Sequence, residues 1–355
     1  MTPETAPLPT TTAGEAYTDA ALHAWTRAGE AHGTVTRTLQ IGDRAVRLTF
    51  AGDALVPAFL PALAHLPETT TEANATVHIW DAASTGVPLP DPAWGPEEYG
   101  PRGLVRGFNT DTLRTAYQIG SGVLSVADLA SRRAIVAVHD AEALPYYERG
   151  APLLSALHWT LSDATSQFVH AGAVGVSDGG VLLVGPGGSG KSTTALACLG
   201  SDLLYAGDDY ALAQLTPDGP RVASVYTSAK IKPGGTRWLP HLRPLIDNPE
   251  RGPDEKDLLF VHRHHPEAIV RGFPLRAIVV PEITGAPASV LQLTDAADAF
   301  RALVPSTVLQ LPSGGPRATA VLARLVREVP CVRLRLGTDM AEIPHVIGNL
   351  LRDLA

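Results

Sequence analysis

Residues 185–192 read Gly185-Pro186-Gly187-Gly188-Ser189-Gly190-Lys191-Ser192, a complete G-x-x-x-x-G-K-S. The pattern constrains the fold because it works only between a buried strand and the first turn of a helix. Both flanks are present. Val181-Leu182-Leu183-Val184 is a short apolar strand, and Thr193 opens the helix-forming stretch TTALACL. The glycines let successive backbone N–H groups converge on phosphate oxygens with no Cβ in the way. The helix N-terminus adds its partial positive charge. In such a loop Lys191 sets a compact ammonium on the β- and γ-phosphates of a nucleotide, and Ser192 offers a hydroxyl to Mg²⁺.

Two further elements flank the loop. Leu203-Leu204-Tyr205-Ala206-Gly207 is an apolar strand that ends in Asp208 and Asp209, 17 and 18 residues after Lys191. Paired carboxylates beside such a loop can divide the work. One stays ionised on a metal while the other takes the proton of an acceptor hydroxyl. His170 lies 21 residues before Lys191 on the apolar run SQFVHAGAVGV. Spacing alone does not single it out among twelve histidines, because a lone histidine on such a strand is more often a satisfied core residue.

Lysine usage adds a third signal. Of 28 basic residues only Lys191, Lys230, Lys232 and Lys256 are lysine, all within one 66-residue window. Lys230 and Lys232 take alternate positions of an extended segment and so share a face. A transferring phosphoryl group needs positive charge along its path, which makes Lys230 a nucleotide-binding candidate. Lys232 and Lys256 read more simply as solvated surface lysines. Arg237, Arg251 and Arg276 are weaker candidates.

The remainder of the chain predicts a mixed α+β protein. Strands are expected at 34–41 and 44–50 around a Gly42-Asp43 hairpin turn. Others are expected at 75–79, 103–108, 112–119, 122–129 and 133–139. A short helix capped by Asp53 should run to Leu66, broken by Pro57 and Pro61. Later helices are expected at 151–163, 316–328 and 340–353. The sequence divides into a loose tail (1–16), an N-terminal α+β domain (17–150) suited to substrate recognition, and a P-loop domain (151–355). The formal charge of −8 argues against nucleic acid. No run of about 18 apolar residues suggests a membrane span. Two isolated cysteines and no basic, apolar leader point to a cytoplasmic protein. The His262-His264-His265 cluster lacks helical metal-ligand spacing and reads as an exposed loop.

HAGAV, GPGGSGKST and YAGDDY, in that order, resemble the catalytic domain of HPr kinase/phosphorylase, which phosphorylates a serine of a phosphocarrier protein. The likeness covers about residues 165–215. The chain looks nearer to divergent members of that serine kinase family that modify peptides. The resemblance implies an α/β P-loop domain related to ATP-dependent phosphoenolpyruvate carboxykinase, with ATP and Mg²⁺ as cofactors. It also implies Asp209 as proton acceptor and Asp208 and His170 as its support and that of the metal. Some forty residues past the loop lysine, where the family carries an acidic metal ligand in a glycine-rich signature, this chain reads Thr227-Ser-Ala-Lys230-Ile-Lys232-Pro-Gly-Gly. The expected activity is transfer of a γ-phosphoryl group to a hydroxyl of a peptide, protein or small metabolite. The rivals are an ATP-binding switch with slow hydrolysis and carboxykinase-like transfer to a small acid. Homo-oligomerisation is left open.

Overall fold

Gly42 adopts φ +58° and, with Asp43, closes the hairpin between β1 (Thr34–Ile41) and β2 (Arg44–Ala51). The chain, in a computed structural model that describes residues 12–311 and 314–354, extends this hairpin into a six-stranded sheet. β3 (Ala75–Asp81), β4 (Leu113–Gln118), β5 (Val123–Asp128) and β6 (Arg133–Val138) complete it in the order β1-β2-β3-β6-β5-β4, with β3 parallel to both neighbours. One face is covered by α1 (Ala13–His32), which buries Tyr17, Ala21, Ala24 and Ala28 against Trp80, Leu124 and Ile135. α2 (Val56–Leu63) and, beyond the short α3 (Ala82–Thr85) and α4 (Tyr146–Gly150), α5 (Leu154–Leu161) supply apolar side chains to the other side.

The second sheet has nine strands and carries the glycine loop. Its members are β7 (Ser166–Val169), β8 (Gly172–Val176), β9 (Gly179–Leu183), β10 (Leu204–Gly207), β11 (Ala211–Thr216), β12 (Gly219–Ser224), β15 (Gly272–Ile283), β16 (Val290–Leu293) and β17 (Cys331–Leu336). Seven lie in the order β10-β8-β9-β15-β12-β11-β7, with β17 and then β16 branching from β15. β13 (Ser228–Ile231) and β14 (Asp257–Phe260) form a separate antiparallel ribbon. Two runs turn the sheet. The first half of β15 pairs with β12 and its second half with β9 and β17, while the chain leaves β7 at one edge and re-enters as β8 five places away. The helices on this side are α6 (Lys191–Ala197), α7 (Val261–His264), α8 (Ala296–Gln310), α9 (Gly315–Glu328) and α10 (Glu342–Asp353).

The two sheets share one apolar cluster: Val46, Ile79 and Val136 of the first pack in it with Phe168, Leu212 and Ala223 of the second. The boundary drawn near residue 150 falls inside this shared core. Polar ties reinforce it: Asp163 accepts from Arg44 (2.9 Å) and Arg132 (3.1 Å), and buried Ser224 meets His65 at 2.8 Å.

Several sequence expectations shift. The run SQFVHAGAVGV is two strands, interrupted at His170-Ala171 where it passes from the β7 edge to the interior strand β8. Residues 103–108 form no strand, because the turn at Arg102 (φ +58°) and Gly103 (φ +73°) leaves only the isolated bridges Leu104–Ala116 and Tyr99–Val105. Asp53 gives α2 its backbone carbonyl, not its side chain. Residues 13–16 of the expected tail begin α1, and residues 1–11 lie outside the described residues. Helices α1 and α8 and strands β13, β14 and β16 are additions. The histidine cluster stands on and just after α7, half-buried. Among the described residues no helix is long and apolar enough to cross a membrane.

Candidate functional site

β9 delivers the glycine loop and α6 receives it, so the local order is the one the motif demands. Val184 N–H still bonds Val279 of β15 (2.9 Å), after which the backbone leaves the sheet. Gly190 caps the helix at φ +105°, and a Cβ there would run into Leu336. Only glycine fits that position. Lys191 is buried (6% exposed) and its Nζ donates to the carbonyls of Gly185 (2.7 Å) and Pro186 (3.2 Å). Burial lowers its pKa, against the opposing pull of Asp209 and Asp208. Lys232 reaches the loop from outside, its Nζ 3.4 Å from where a Cβ on Gly188 would stand.

β10 pairs with β8 and ends at the two carboxylates, whose surroundings differ sharply. Asp208 is 1% exposed; its Oδ1 has no partner, and its Oδ2 accepts a long bond from Lys230 N–H (3.5 Å). Burial, helped by the neighbouring Asp209 charge, pushes its carboxyl up to about 7 despite the Ser192 hydroxyl and Lys230. Asp209 is doubly held. His170 Nε2 lies 2.9 Å from Oδ1 and Lys230 Nζ lies 2.6 Å from Oδ2. Burial works against its charge, but Lys230 and His170 outweigh it and keep the carboxyl well below the ordinary range. Lys230 is raised in return, Asp209 overcoming the penalty of burial. Adjacent carboxylates pushed apart in this way are suited to different tasks.

These groups face one cavity of about 870 Å³. Gly187, Gly188, Gly190, Lys191, Ser192 and Thr193 form its loop side; His170, Asp209 and Lys230 line it as well. Gly185, Pro186, Ser189 and Asp208 are not among its lining residues. All four lysines of the chain border it; Lys232 is exposed there and Lys256 half-buried. Arg237 also lines it, whereas Arg276 bonds Asp178 O and Arg251 pairs with Asp257.

The opposite wall comes from the first sheet and the segment after it: Gln118, Ser121, Tyr146, Tyr147 and Glu148. Glu148 was not visible as a site residue in the sequence, where Tyr-Tyr-Glu-Arg-Gly carries no motif. Burial raises its carboxyl, against a 2.8 Å bond from the Ser121 hydroxyl and the Lys230 charge. α4 is anchored to β13 by Ser228, whose hydroxyl donates to Gly150 O, so Glu148 and Lys230 belong to packed neighbours.

The donor set suits Mg²⁺. Asp208 Oδ1 is a buried carboxylate oxygen without a partner, and Ser192 supplies a second hard oxygen beside it. Mg²⁺ commonly uses one or two such protein oxygens and completes its shell with water and phosphate. Among the described residues there is no group of three or more His, Cys, Asp or Glu able to hold a metal by itself.

Fold and site together define a mixed α/β protein built around a P-loop. No protein-family model matches the chain, and no curated protein does. Among solved structures, the HPr(Ser) kinase/phosphatase from Coxiella burnetii is similar at 14% identity and a TM-score of 0.29, over 53% of this chain and 95% of that one.

Proposed function

We propose that the protein is an ATP- and Mg²⁺-dependent phosphotransferase that moves the γ-phosphoryl group to a hydroxyl, serine being the favoured acceptor, on a peptide, protein or small metabolite. The observation that carries this reading is the His170–Asp209–Lys230 constellation on the same cavity as the glycine loop. A switch protein needs the loop. It does not need a base buried between a histidine and a lysine.

The side chains act in a definite order. Backbone N–H groups of Gly188 to Ser192 and the Lys191 ammonium hold the phosphates. Lys230 holds Asp209 by a close ion pair, which makes that carboxylate a weak base when the pair is intact. An incoming phosphoryl group competes for the Lys230 ammonium, loosens the pair and restores basicity to Asp209. Asp209 then takes the proton of the acceptor hydroxyl as its oxygen forms the new bond to phosphorus and the bond to the leaving diphosphate breaks. His170, hydrogen-bonded to Oδ1, steadies the carboxylate. Mg²⁺ held at Asp208 and Ser192 would supply neutralisation of charge on the β- and γ-phosphate oxygens.

The test pairs nucleotide binding with transfer to an array of serine-containing peptides and to free hydroxyl metabolites. Asp209→Asn should keep Mg·ATP binding and lose transfer. Transfer by Asp209→Asn at the wild-type rate removes the proposed base, and ATP turnover with no phosphorylated product on any acceptor favours the switch.

A further inference from the structure

The phosphate loop fixes a direction. In a strand–loop–helix site the β- and γ-phosphates lie over the loop and its lysine, and the α-phosphate lies at the first helical turn. The nucleoside must therefore leave past Ser192 and Thr193. Leu196, one turn further along α6, lines the cavity beyond them. Leu196 belongs to the same buried cluster as Ile231 and Leu239, which also reach the cavity, so that end has an apolar floor. The opposite end is polar, holding His170, Asp209 and Glu148.

Trp238 precedes Leu239 and stands on that apolar end. It lines the cavity and is 41% exposed, so its ring is open to a ligand there. The Arg237 guanidinium lies 5.3 Å from the ring centroid. The segment that carries it begins at Lys232, against Gly188 of the loop, and turns through Gly234 (φ +73°) and Gly235. Residues 231–239 thus run alongside the loop from its phosphate end towards Leu196. Ile283 is the other large exposed apolar side chain at the loop, 65% exposed and 3.6 Å from the place of a Cβ on Gly190. It offers an aliphatic edge with no flat face.

We infer that Trp238 is the platform on which the nucleobase of a purine nucleoside triphosphate stacks, with Leu196, Ile231 and Leu239 as the floor of that subsite. This rests on the nucleotide-binding reading of the loop. Every base has a π-face, and stacking on an aromatic side chain stabilises binding without demanding hydrogen-bond readout. The ring therefore holds the base while the loop holds the phosphates, and the two contributions can be separated.

Inorganic tripolyphosphate carries the phosphates without the base. The full-length protein would be titrated calorimetrically with Mg·ATP and with Mg·tripolyphosphate, in the wild type and in Trp238→Ala, Trp238→Phe and Ile283→Ala. ATP should bind the wild type more tightly than tripolyphosphate. Trp238→Ala should weaken ATP about tenfold, or ~1.4 kcal/mol, and leave tripolyphosphate unchanged. Trp238→Phe should restore most of the loss, and Ile283→Ala should change ATP less than threefold. Unchanged ATP affinity in Trp238→Ala overturns the platform, as does an equal loss for both ligands, which marks a structural role. If the wild type binds tripolyphosphate as tightly as ATP, no base subsite exists. Binding of neither ligand by the wild type overturns the nucleotide reading of the loop itself.

Discussion

The two walls of the cavity are built differently. The wall around the glycine loop carries Lys191, Asp209, His170 and Lys230, with Asp208 next to Asp209 in the chain. These are charged or polar groups in or near the core, and Asp208 Oδ1 and His170 Nδ1 are buried without a partner. The wall from the first sheet and α4 carries Gln118, Ser121, Tyr146, Tyr147 and Glu148, none of them fully buried. Burying charge is costly and persists where the surroundings compensate it. The first wall is therefore committed to one chemistry. The second can exchange side chains at little cost to folding, as a surface that selects an acceptor should.

That contrast can be broken by experiment, beginning with the loop. Lys191→Ala should abolish transfer, by about three orders of magnitude or more as judged from the weight of cationic groups on a transferring phosphoryl, in a steady-state phosphorylation assay. Retained activity would remove the loop from the site. Asp209→Asn should lower transfer by about 10²–10⁴ with ATP affinity within a few-fold of wild type by calorimetry. Lys230→Met should reduce transfer by about tenfold to a hundredfold, taking a charged contact to the phosphoryl group as ~1.5–3 kcal/mol. An unchanged rate would show that Lys230 only neutralises Asp209.

A smaller effect tests burial itself. Asp208, raised to about 7 in the folded protein, keeps its proton between pH ~4 and ~7 while the unfolded chain has lost it. The folded state then binds more protons, so this group's contribution to stability falls as pH rises through that window. Asp209, held below the ordinary range, is ionised in both states there and adds no slope. The gap in unfolding free energy from urea titration between Asp208→Asn and wild type should widen in favour of the variant from pH 5 to 7.5, by about 2–3 kcal/mol at the ~1.4 kcal/mol per pKa unit of linkage. Saturating Mg²⁺ should shrink it by favouring the ionised carboxylate. Equal pH dependence of the two proteins would contradict the burial argument. Smallest of all, Glu148→Gln on the opposite wall should raise the acceptor KM a few-fold and leave kcat and ATP binding alone. A large fall in kcat would move Glu148 to the chemical wall.

Legibility in the sequence followed the range of the interactions. The hairpin at Gly42-Asp43 and the loop at 185–192 could be read because their conformations depend on adjacent residues. α1 escaped notice because its buried stripe is mostly alanine at Ala21, Ala24 and Ala28, although Thr12 and Glu15 form a capping box that marks its start. His170 was visible through resemblance and not through spacing, since its role depends on a break between the edge strand β7 and the interior strand β8. Glu148 left no local signal. It reaches the site because α4 packs on β13, some eighty residues later.

By itself the sequence determined a strand–loop–helix with Lys191 at its centre, a carboxylate pair after the next strand, and a cluster of lysines in an arginine-rich chain. Those features reside in contiguous residues, where backbone geometry leaves few alternatives. Tertiary structure alone decided that Lys191, Lys230, Lys232 and Lys256 border one cavity, that Lys230 closes on Asp209, and that Asp208 and Asp209 differ in proton affinity. Such properties depend on burial and on charges brought together from distant segments, and one-dimensional spacing carries neither.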